Sequence, residues 1–482
     1  MLDSSPTDAA SLAAEPAPVQ ATAVQPVPVQ PVPAPARQPA RVIPIRRQPA
    51  ARRRRATAWL GLIGLLTCGV LAVVAAAHTE SLLPLSIRPA PPELAGAFAG
   101  IGLDLHVGGT IAVLALMFCS YALAVSRSGQ LPARVVVAAI VVLHLVVLLG
   151  PPLVSTDVFS YQAYARMGAV YGINPYLHGP YAIELDHLFP YIGSKWSYTP
   201  SVYGPVFTAA SYPLATLAIA TSVYAYKSVA ALASLALVAV VAACARRRGA
   251  DPVRAAALVG LNPLLVLYGV GGGHNDLLML LALAGAVWAL LAARPRLGGG
   301  LTMLAIGVKL TAGLVLPFAI AAHGARGGRP RRDLLLGAMI VGALIAALSF
   351  TVFGSATFHL LGTVRQGQSE GDWKSIAGVV STRLHLPTLG HVCSYVLAAA
   401  FVLCCCWLLR RVWRGQTDWV DGAGWAMLAL LIAASSLLPW YVAWLLPFAA
   451  VARDRRLWRT AIGMTGVVQA IQLLGYVPHH VL

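Results

Sequence analysis

Long apolar runs separated by short polar segments make up most of the chain. A helix needs roughly 20 apolar residues to cross the hydrocarbon core of a bilayer. Runs close to that length cover residues 58–78, 107–126, 134–152, 225–245, 254–270, 276–293, 333–354, 389–409 and 457–477. This pattern predicts an all-α polytopic membrane protein.

Three further apolar segments do not fit straight crossings. Residues 203–222 are expected to lie in the membrane plane on the outer face, because a crossing there would place the following arginine cluster outside. Residues 298–325 contain Lys309, and residues 423–452 contain Pro439. Each is predicted to break into a pair of short helices. The total expected is about 11 to 13 transmembrane helices of bilayer length or shorter.

Composition agrees with this class, since 58% of residues are hydrophobic and 11% are charged, with a mean hydropathy of +0.73. The formal net charge is +18, but the arginines lie in short clusters between the apolar runs. Such clusters are typical of cytoplasmic loops rather than of a nucleic-acid-binding surface. We therefore expect no nucleic-acid partner, a multi-pass protein of the plasma (cell inner) membrane, and a cytoplasmic N-terminus.

Domain boundaries follow from the same pattern. Residues 1–56 are rich in Pro and Ala and end in an arginine run, which predicts a disordered cytoplasmic tail. Residues 57–482 form the transmembrane domain. Within it, the outer loops 153–202 and 355–388 are expected to form the active-site face. The seven cysteines lie in or beside apolar spans without metal-ligand spacing, so neither a disulfide framework nor a metal site is predicted.

Asp157 is the polar residue with the most informative position. It follows the apolar run that ends near Leu149 and opens an aromatic-rich segment that extends to about Pro205. A carboxylate at the bilayer boundary can contact both water and the head group of a lipid-bound substrate. The alternative interpretation is a helix cap, because Ser155, Thr156 and Asp157 are all residues that cap helices.

Several motifs follow one another on the predicted outer side. They are Ser155 to Tyr161, Ala165 to Met167, Gly172 to Tyr176, Tyr203 to Pro205, Gly273 to Asp276 and Leu438 to Tyr441. Their order resembles the polyprenol-phosphate-mannose-dependent mannosyltransferases of the GT-C class. The resemblance is closest to the actinobacterial α-1,6-mannosyltransferases of lipomannan and lipoarabinomannan synthesis, and it covers about residues 57–478.

This resemblance implies a GT-C-type fold and a specific chemistry. The donor would be a polyprenyl-phosphate-linked sugar, and the acceptor a hydroxyl of a glycan or glycolipid on the extracytoplasmic side. Transfer would invert the anomeric centre and give an α-linked product, without a metal or another cofactor. The family places its general base in the first large outer loop, which here indicates Asp157. One carboxylate suffices because the departing phosphate needs no protonation, whereas glycosidases use a pair.

Other residues on the outer side are candidates for substrate binding. They are Arg166, Tyr176, Tyr203, His274, Asn275, Asp276, Lys309, Arg365, Trp440 and Tyr441. Lys309 could meet a lipid phosphate, or could extend to the interface as long basic side chains do. Asn275 and Asp276 could instead cap a helix. The aromatic residues could anchor the protein at the interface, and Arg365 and Lys374 could belong to a plain linker.

Two alternatives from other classes stay open at this point. A transporter or flippase of lipid-linked sugars would also have broken helices and polar residues at depth, but it would not need an outer loop that begins with a carboxylate. A non-catalytic scaffold or channel subunit offers no reason for polar residues to gather on one side. Within the GT-C class, arabinose or glucose on the lipid phosphate would require the same base.

Overall fold

The computed structural model describes residues 49–324, 329–369 and 373–476. Within these ranges it consists of helices and turns, without a β-strand. The α-helices are α1 (Pro49–Ala75), α2 (His106–Arg127), α3 (Ala133–Leu149), α4 (Asp157–Ala169), α5 (Pro205–Ser211), α6 (Ile219–Arg247), α7 (Pro252–Gly260), α8 (Asp276–Leu291), α9 (Pro295–Val308), α10 (Val315–Gly324), α11 (Arg329–Phe353), α12 (His359–Ser369), α13 (Ile376–Gly378), α14 (Pro387–Trp413), α15 (Trp419–Ala433), α16 (Leu446–Val451) and α17 (Arg455–Leu474). The predicted all-α class is confirmed.

Some predicted features fall on residues outside these described ranges. Most of the expected disordered tail, residues 1–48, lies outside the described residues. So do positions 370–372 of the expected outer loop 355–388, and the last six positions of the expected transmembrane domain, 477–482.

Five helices in the described part of the chain are long and apolar enough to cross a membrane, or six if the bent pair of α7 and residues Leu264–Val270 counts as one. They correspond to α1, α2, α6, the helical segment that begins with α11, and α14. This confirms a polytopic membrane protein. Helices α3, α8 and α15 are apolar but shorter. The expected total of 11 to 13 crossings depends on such short helices and stays a prediction.

The predicted helix breaks occur where the sequence indicated them. Helix α9 ends at Val308, and Lys309 adopts an extended conformation with φ −154° and ψ 127° before the chain turns into α10. Helix α15 likewise ends at Ala433, and a tight helical turn, Pro439–Trp444, precedes α16. Both breaks therefore interrupt apolar segments, and each brings polar or aromatic side chains into the interior.

The segment 203–222 differs in extent from the predicted in-plane helix. Only α5 and a short turn at Tyr212–Leu214 are helical before α6 begins at Ile219. Seven residues rise only about 10 Å, which is too short for a crossing. The segment is therefore not a transmembrane span, but its last residues belong to α6. Its orientation in the membrane plane stays a prediction.

Glycines allow the helices around Lys309 to approach closely. A Cβ at Gly299 of α9 would lie 2.0 Å from the carbonyl oxygen of Leu334 in α11, and one at Gly337 of α11 would lie 1.9 Å from that of Arg296. A Cβ at Gly204 would lie 2.2 Å from the carbonyl oxygen of Gly307. Larger residues would push these backbones apart. The Tyr203-Gly204-Pro205 motif thus holds its segment against the end of α9.

Helix α6 connects two chemically different ends of the bundle. Tyr226, near its start, packs on Tyr161 of α4 with ring centroids 5.5 Å apart. Arg248, just beyond its other end, pairs with Asp418 at 2.9 Å. These two points are separated by roughly 30 Å along the helix axis, given a rise of about 1.5 Å per residue. The aromatic region around Asp157 and the arginine-rich region therefore lie toward opposite ends of α6.

Candidate active site

Asp157 is the first residue of α4, but its carboxylate does not cap that helix. The N-cap residue is Thr156, whose side chain makes no cap hydrogen bond. Instead, the backbone N–H of Asp157 donates to the hydroxyl of Ser155 at 3.2 Å. The helix-cap interpretation of Asp157 is therefore wrong, and its carboxylate is available for a different contact.

That contact is with His274, in the turn before α8. The Nδ1 atom of His274 lies 3.3 Å from the Asp157 carboxylate, and the histidine side chain is buried. Its ring stacks on Trp440 with centroids 3.8 Å apart. The turn needs a small residue at Gly272, where a Cβ would lie 2.7 Å from His274 Nε2. Three distant segments thus meet at one carboxylate.

The surroundings of Asp157 keep its carboxyl group ionised. Burial raises the pKa of Asp157, but the contact with His274 and the positive charges of His274 and Lys309 lower it, as does the Ser155 hydroxyl, and the net pKa lies below its ordinary value of 3.8. The pKa of an aspartate falls when cationic neighbours outweigh desolvation. Asp157 is therefore a carboxylate at neutral pH.

Lys309 and Asp276 form a second, more buried pair beside this contact. The Lys309 ammonium lies 2.8 Å and 2.9 Å from the two carboxylate oxygens, and the side chains are only 13% and 2% exposed. The indole N–H of Trp444 also donates to Asp276 at 2.6 Å. Lys309 lies 5.3 Å from the ring centre of Tyr441. Its charge is thus largely compensated inside the protein.

Asn275 connects this group to α4. Its backbone N–H donates to the Tyr161 hydroxyl at 3.3 Å, and the same hydroxyl donates weakly to its side-chain oxygen at 3.4 Å. Tyr161 in turn packs edge-on against Tyr203 and Phe207. Within the described residues no side chain caps α8. The predicted alternative of an Asn or Asp cap is therefore wrong for this turn.

A cavity of about 520 Å³ opens at Asp157. Its wall combines hydroxyl, carboxylate, ammonium and amide groups with two indole rings. The polar and aromatic side chains that line it are Ser86, Ser155, Thr156, Asp157, Ser194, Trp196, Lys374, Trp440 and Gln472. A few polar groups among apolar and aromatic surfaces are typical of small-ligand sites. Within the described residues no group of three or more His, Cys, Asp or Glu side chains is arranged to hold a metal ion.

Most of the predicted site residues come together, although the sequence separates them. His274, Asn275, Asp276, Lys309, Trp440, Tyr441 and Tyr203 belong to the connected group around Asp157, through the contacts given above. Of this set, Trp440 and Asp157 line the cavity itself. The others lie behind its wall, where they support the residues that face it.

Three predicted substrate-binding residues lie elsewhere. Arg166 pairs with Asp186 at 2.7 Å and donates to the carbonyl of Ala215, so it holds the loop together. Tyr176 is fully buried, and its hydroxyl donates to the carbonyl of Tyr203 at 2.8 Å. Arg365 lies exposed on α12 and is not part of the cavity wall. A role in substrate binding stays a prediction for these three.

Other residues were not singled out by sequence reasoning. Lys227, buried in α6, donates to the carbonyls of Gly150 and, at 3.0 Å, Pro151, and so holds the segment that leads to Asp157. A charged residue within an apolar run is a pattern in the sequence that could have identified Lys227. Trp444 and Gln472 lacked a comparable signal, because tryptophan and glutamine near helix ends are common on any membrane protein.

Comparison with known proteins gives matches along most of the chain. Residues 58–325 match the family model described as the N-terminal domain of alpha-(1->6)-mannopyranosyltransferase, and residues 373–474 match the model described as the MptB C-terminal domain. Asp157 and His274 lie in the first match, whereas Lys374, Trp440 and Gln472 lie in the second. The cavity is thus assembled from both. No solved structure matches the chain.

Individual relatives agree with these family models. A probable alpha-(1->6)-mannopyranosyltransferase of Mycolicibacterium smegmatis is 30% identical over 68% of this chain and 66% of the relative. An alpha-(1->6)-mannopyranosyltransferase of Mycobacterium tuberculosis is 29% identical over 63% of each chain. Alpha-(1->6)-mannopyranosyltransferase B of Corynebacterium glutamicum is 27% identical over 83% of this chain and 74% of the relative. The chain spans slightly less than two thirds of the first two relatives.

The buried pair of Lys309 and Asp276 yields a stability prediction. Lys309→Met is expected to destabilise the fold by about 3 to 5 kcal/mol, because it leaves a buried carboxylate without its ion-pair partner. The midpoint of thermal unfolding in detergent measures this. The double variant Lys309→Met/Asp276→Asn removes both charges and keeps an oxygen for the Trp444 N–H, so it should regain most of the lost stability. A double variant no more stable than the single one would contradict this assignment.

Proposed function

Because the chain belongs to the α-(1→6)-mannopyranosyltransferase family, we propose that it transfers a mannosyl residue from a polyprenyl-phosphate donor to a hydroxyl of a glycan or glycolipid acceptor. The product would carry an α-(1→6) linkage. The proposal rests above all on one observation, the Asp157 carboxylate, which lies 3.3 Å from His274 in a cavity lined by hydroxyl, ammonium, amide and indole groups. Such a cavity suits a sugar, whose hydroxyls and apolar faces need both kinds of contact.

Asp157 acts as the general base in this reaction. The acceptor oxygen forms a bond to the anomeric carbon as the bond from that carbon to the phosphate oxygen breaks, and the phosphate leaves with the electron pair. Asp157 accepts the proton of the acceptor hydroxyl. Because its lowered pKa makes it a weak base, proton transfer follows bond formation, when the attacking oxygen has become acidic. His274 fixes the orientation of the carboxylate.

Lys374 is the cation best placed to receive the departing phosphate. It lines the same cavity as Asp157, and Lys309 does not line that cavity. A positive charge near a leaving phosphate stabilises the charge that develops during transfer. We therefore assign the phosphate contact to Lys374 rather than to Lys309, with the indoles of Trp196 and Trp440 available to contact the sugar faces.

The two ends of α6 support the proposed membrane orientation. Arginine-rich loops stay cytoplasmic in most membrane proteins, and Arg248 lies toward the end of α6 opposite to Tyr226. On this basis the Asp157 cavity faces the extracytoplasmic side of the plasma membrane. Helices α11 and α14 expose apolar side chains such as Leu344 and Leu403, and this surface suits contact with lipid and with the polyprenyl chain.

The role of Asp157 is tested by replacing its carboxylate with an amide of the same size. Asp157→Asn is expected to lower kcat about 100- to 10 000-fold, the usual contribution of a general base. Formation of mannosylated product from polyprenyl-phosphate mannose and an oligomannoside measures this. Asp104→Asn, which alters an exposed aspartate elsewhere, serves as the control and should retain full activity. An active Asp157→Asn protein would refute the proposed mechanism.

The phosphate contact is tested separately. Lys374→Gln is expected to raise the KM for the lipid donor about tenfold or more, the usual effect of losing a hydrogen bond to a charged group. The KM for the acceptor should change little. Arg383→Gln is a matched control, because Arg383 and Lys374 both lie over the Trp373 ring, at 5.1 Å and 5.8 Å, but only Lys374 lines the cavity. Equal effects of the two variants would argue against a specific contact.

The contact with His274 predicts a change in pH dependence. Burial raises the pKa of Asp157, and the hydrogen bond from His274, together with the charge of Lys309, brings it below 3.8. In His274→Asn the raising effect of burial is no longer offset by the histidine, so the carboxylate should become protonated at a higher pH. The acid limb of kcat/KM should therefore shift upward relative to the unmodified protein. His178→Asn, at an exposed histidine, should leave the limb in place, whereas an unshifted limb in His274→Asn would contradict the assignment.

A further inference from the structure

The last turn of α17 forms part of the wall of the Asp157 cavity. Gln472 lies there with 7% of its surface exposed, and it is one of the lining residues. Within the described residues, its side-chain Nε2 atom has no hydrogen-bond partner. Buried polar atoms are almost always paired, because an unpaired one forgoes the hydrogen bonds it had with water. An unpaired amide N–H in a cavity wall therefore indicates a ligand.

Trp440 presents a second donor of the same kind. Its indole nitrogen is buried and, among the described residues, also lacks a hydrogen-bond partner. Stacking on His274, with centroids 3.8 Å apart and 23° between the ring planes, fixes the orientation of the ring. Trp440 lines the same cavity as Gln472 and Asp157. The cavity wall thus contains two residues with an unpaired, buried N–H donor, beside the carboxylate of Asp157.

The surroundings of Gln472 connect it to the proposed phosphate contact. Just beyond the end of α17, a Cβ at Gly475 would lie 3.3 Å from the ring of Trp373, so the segment that carries Trp373 and Lys374 rests on this end of the helix. Gln472 and Lys374 both line the cavity. A sugar attached to a phosphate at Lys374 would therefore have hydroxyl groups within the part of the cavity that Gln472 borders.

We propose that Gln472 and Trp440 form a hydroxyl-recognition subsite, in which their N–H groups donate to hydroxyl oxygens of a mannosyl residue. This subsite rests on the proposed function and determines how the sugar is oriented toward Asp157. Sugar hydroxyls are suitable ligands because each oxygen accepts a hydrogen bond from an N–H and still donates its own proton elsewhere. The residue recognised belongs either to the donor or to the acceptor, which share this chemistry.

Gln469 provides a matched comparison on the same helix. It precedes Gln472 by one turn of α17, is 2% exposed, and, within the described residues, has neither side-chain nitrogen nor oxygen hydrogen-bonded. It does not line the cavity. Replacing an unpaired buried amide by an apolar side chain of similar shape costs little. Gln469→Leu should therefore behave like the unmodified protein.

The decisive variant is Gln472→Leu, which removes the N–H donor without adding a charge and matches the Gln469→Leu control. With purified full-length protein, polyprenyl-phosphate mannose and an oligomannoside, we expect kcat/KM to fall about 3- to 10-fold, the usual effect of losing one hydrogen bond. Gln472→Met, which also lacks the N–H, should give a loss of the same order. A rise in donor KM assigns the subsite to the donor sugar, and a rise in acceptor KM assigns it to the acceptor.

Deoxy analogues of both sugars distinguish recognition from a merely structural effect. If Gln472 contacts one hydroxyl, the analogue that lacks this hydroxyl should react equally well with the Gln472→Leu variant and with the unmodified protein, whereas the other analogues should show the full loss. The same loss with every analogue, or unchanged kinetics in both Gln472 variants, would overturn the subsite. If the kinetics are unchanged in both Gln472 variants while the unmodified protein still transfers mannose, only the subsite fails and the proposed function remains.

Binding of the donor lipid in the absence of acceptor provides a readout that does not depend on turnover. Weaker binding to Gln472→Leu than to Gln469→Leu supports the subsite on the donor sugar even if no product forms, in which case only the proposed reaction fails. Equal donor binding, together with unchanged acceptor kinetics or with no product from the native protein, rejects the subsite.

Discussion

The contact between Asp157 and His274 is the interaction on which the site depends. A carboxylate taken out of water is strongly destabilised unless a charge or hydrogen-bond donor accompanies it, and His274 lies 3.3 Å away from it. The histidine is in turn held by the glycine turn before α8 and by the Trp440 ring. One contact between a carboxylate and an imidazole thus links the segment after α3, the start of α8 and the break before α16.

The neighbouring pair of Lys309 and Asp276 shows how two carboxylates in one site differ in their contacts. Asp276 accepts from Lys309 through both oxygens and from Trp444, so its lone pairs are largely engaged. Asp157 is more exposed and lines the cavity. The same residue type therefore serves two purposes, and the number of donors around each carboxylate separates them. The contacts of both carboxylates need the helix breaks, because a continuous helix would keep Lys309 and Trp440 on fixed helical faces.

The side chains proposed to donate hydrogen bonds to the substrate lie in the C-terminal part of the chain. The proposed base lies in the N-terminal part. Lys374, Trp440 and Gln472 lie in the segment matched by the C-terminal family model, and Asp157 lies in that matched by the N-terminal one. A shift of the N-terminal part against the C-terminal part would therefore change the distance between the proposed base and the groups proposed to orient the sugar.

Sequence alone determined the helical class, the membrane association and the breaks at Lys309 and near Pro439, because apolar run length, prolines and isolated charges act locally on the backbone. It also indicated Asp157, whose importance follows from its place beside an apolar run. Tertiary structure alone decided that Lys309 is paired with Asp276, that Arg166 and Tyr176 stabilise the loop, and that Lys374 and Gln472 line the cavity. Those facts depend on contacts between residues far apart in the chain, and no local pattern of hydrophobicity or charge specifies which distant partner a side chain will meet.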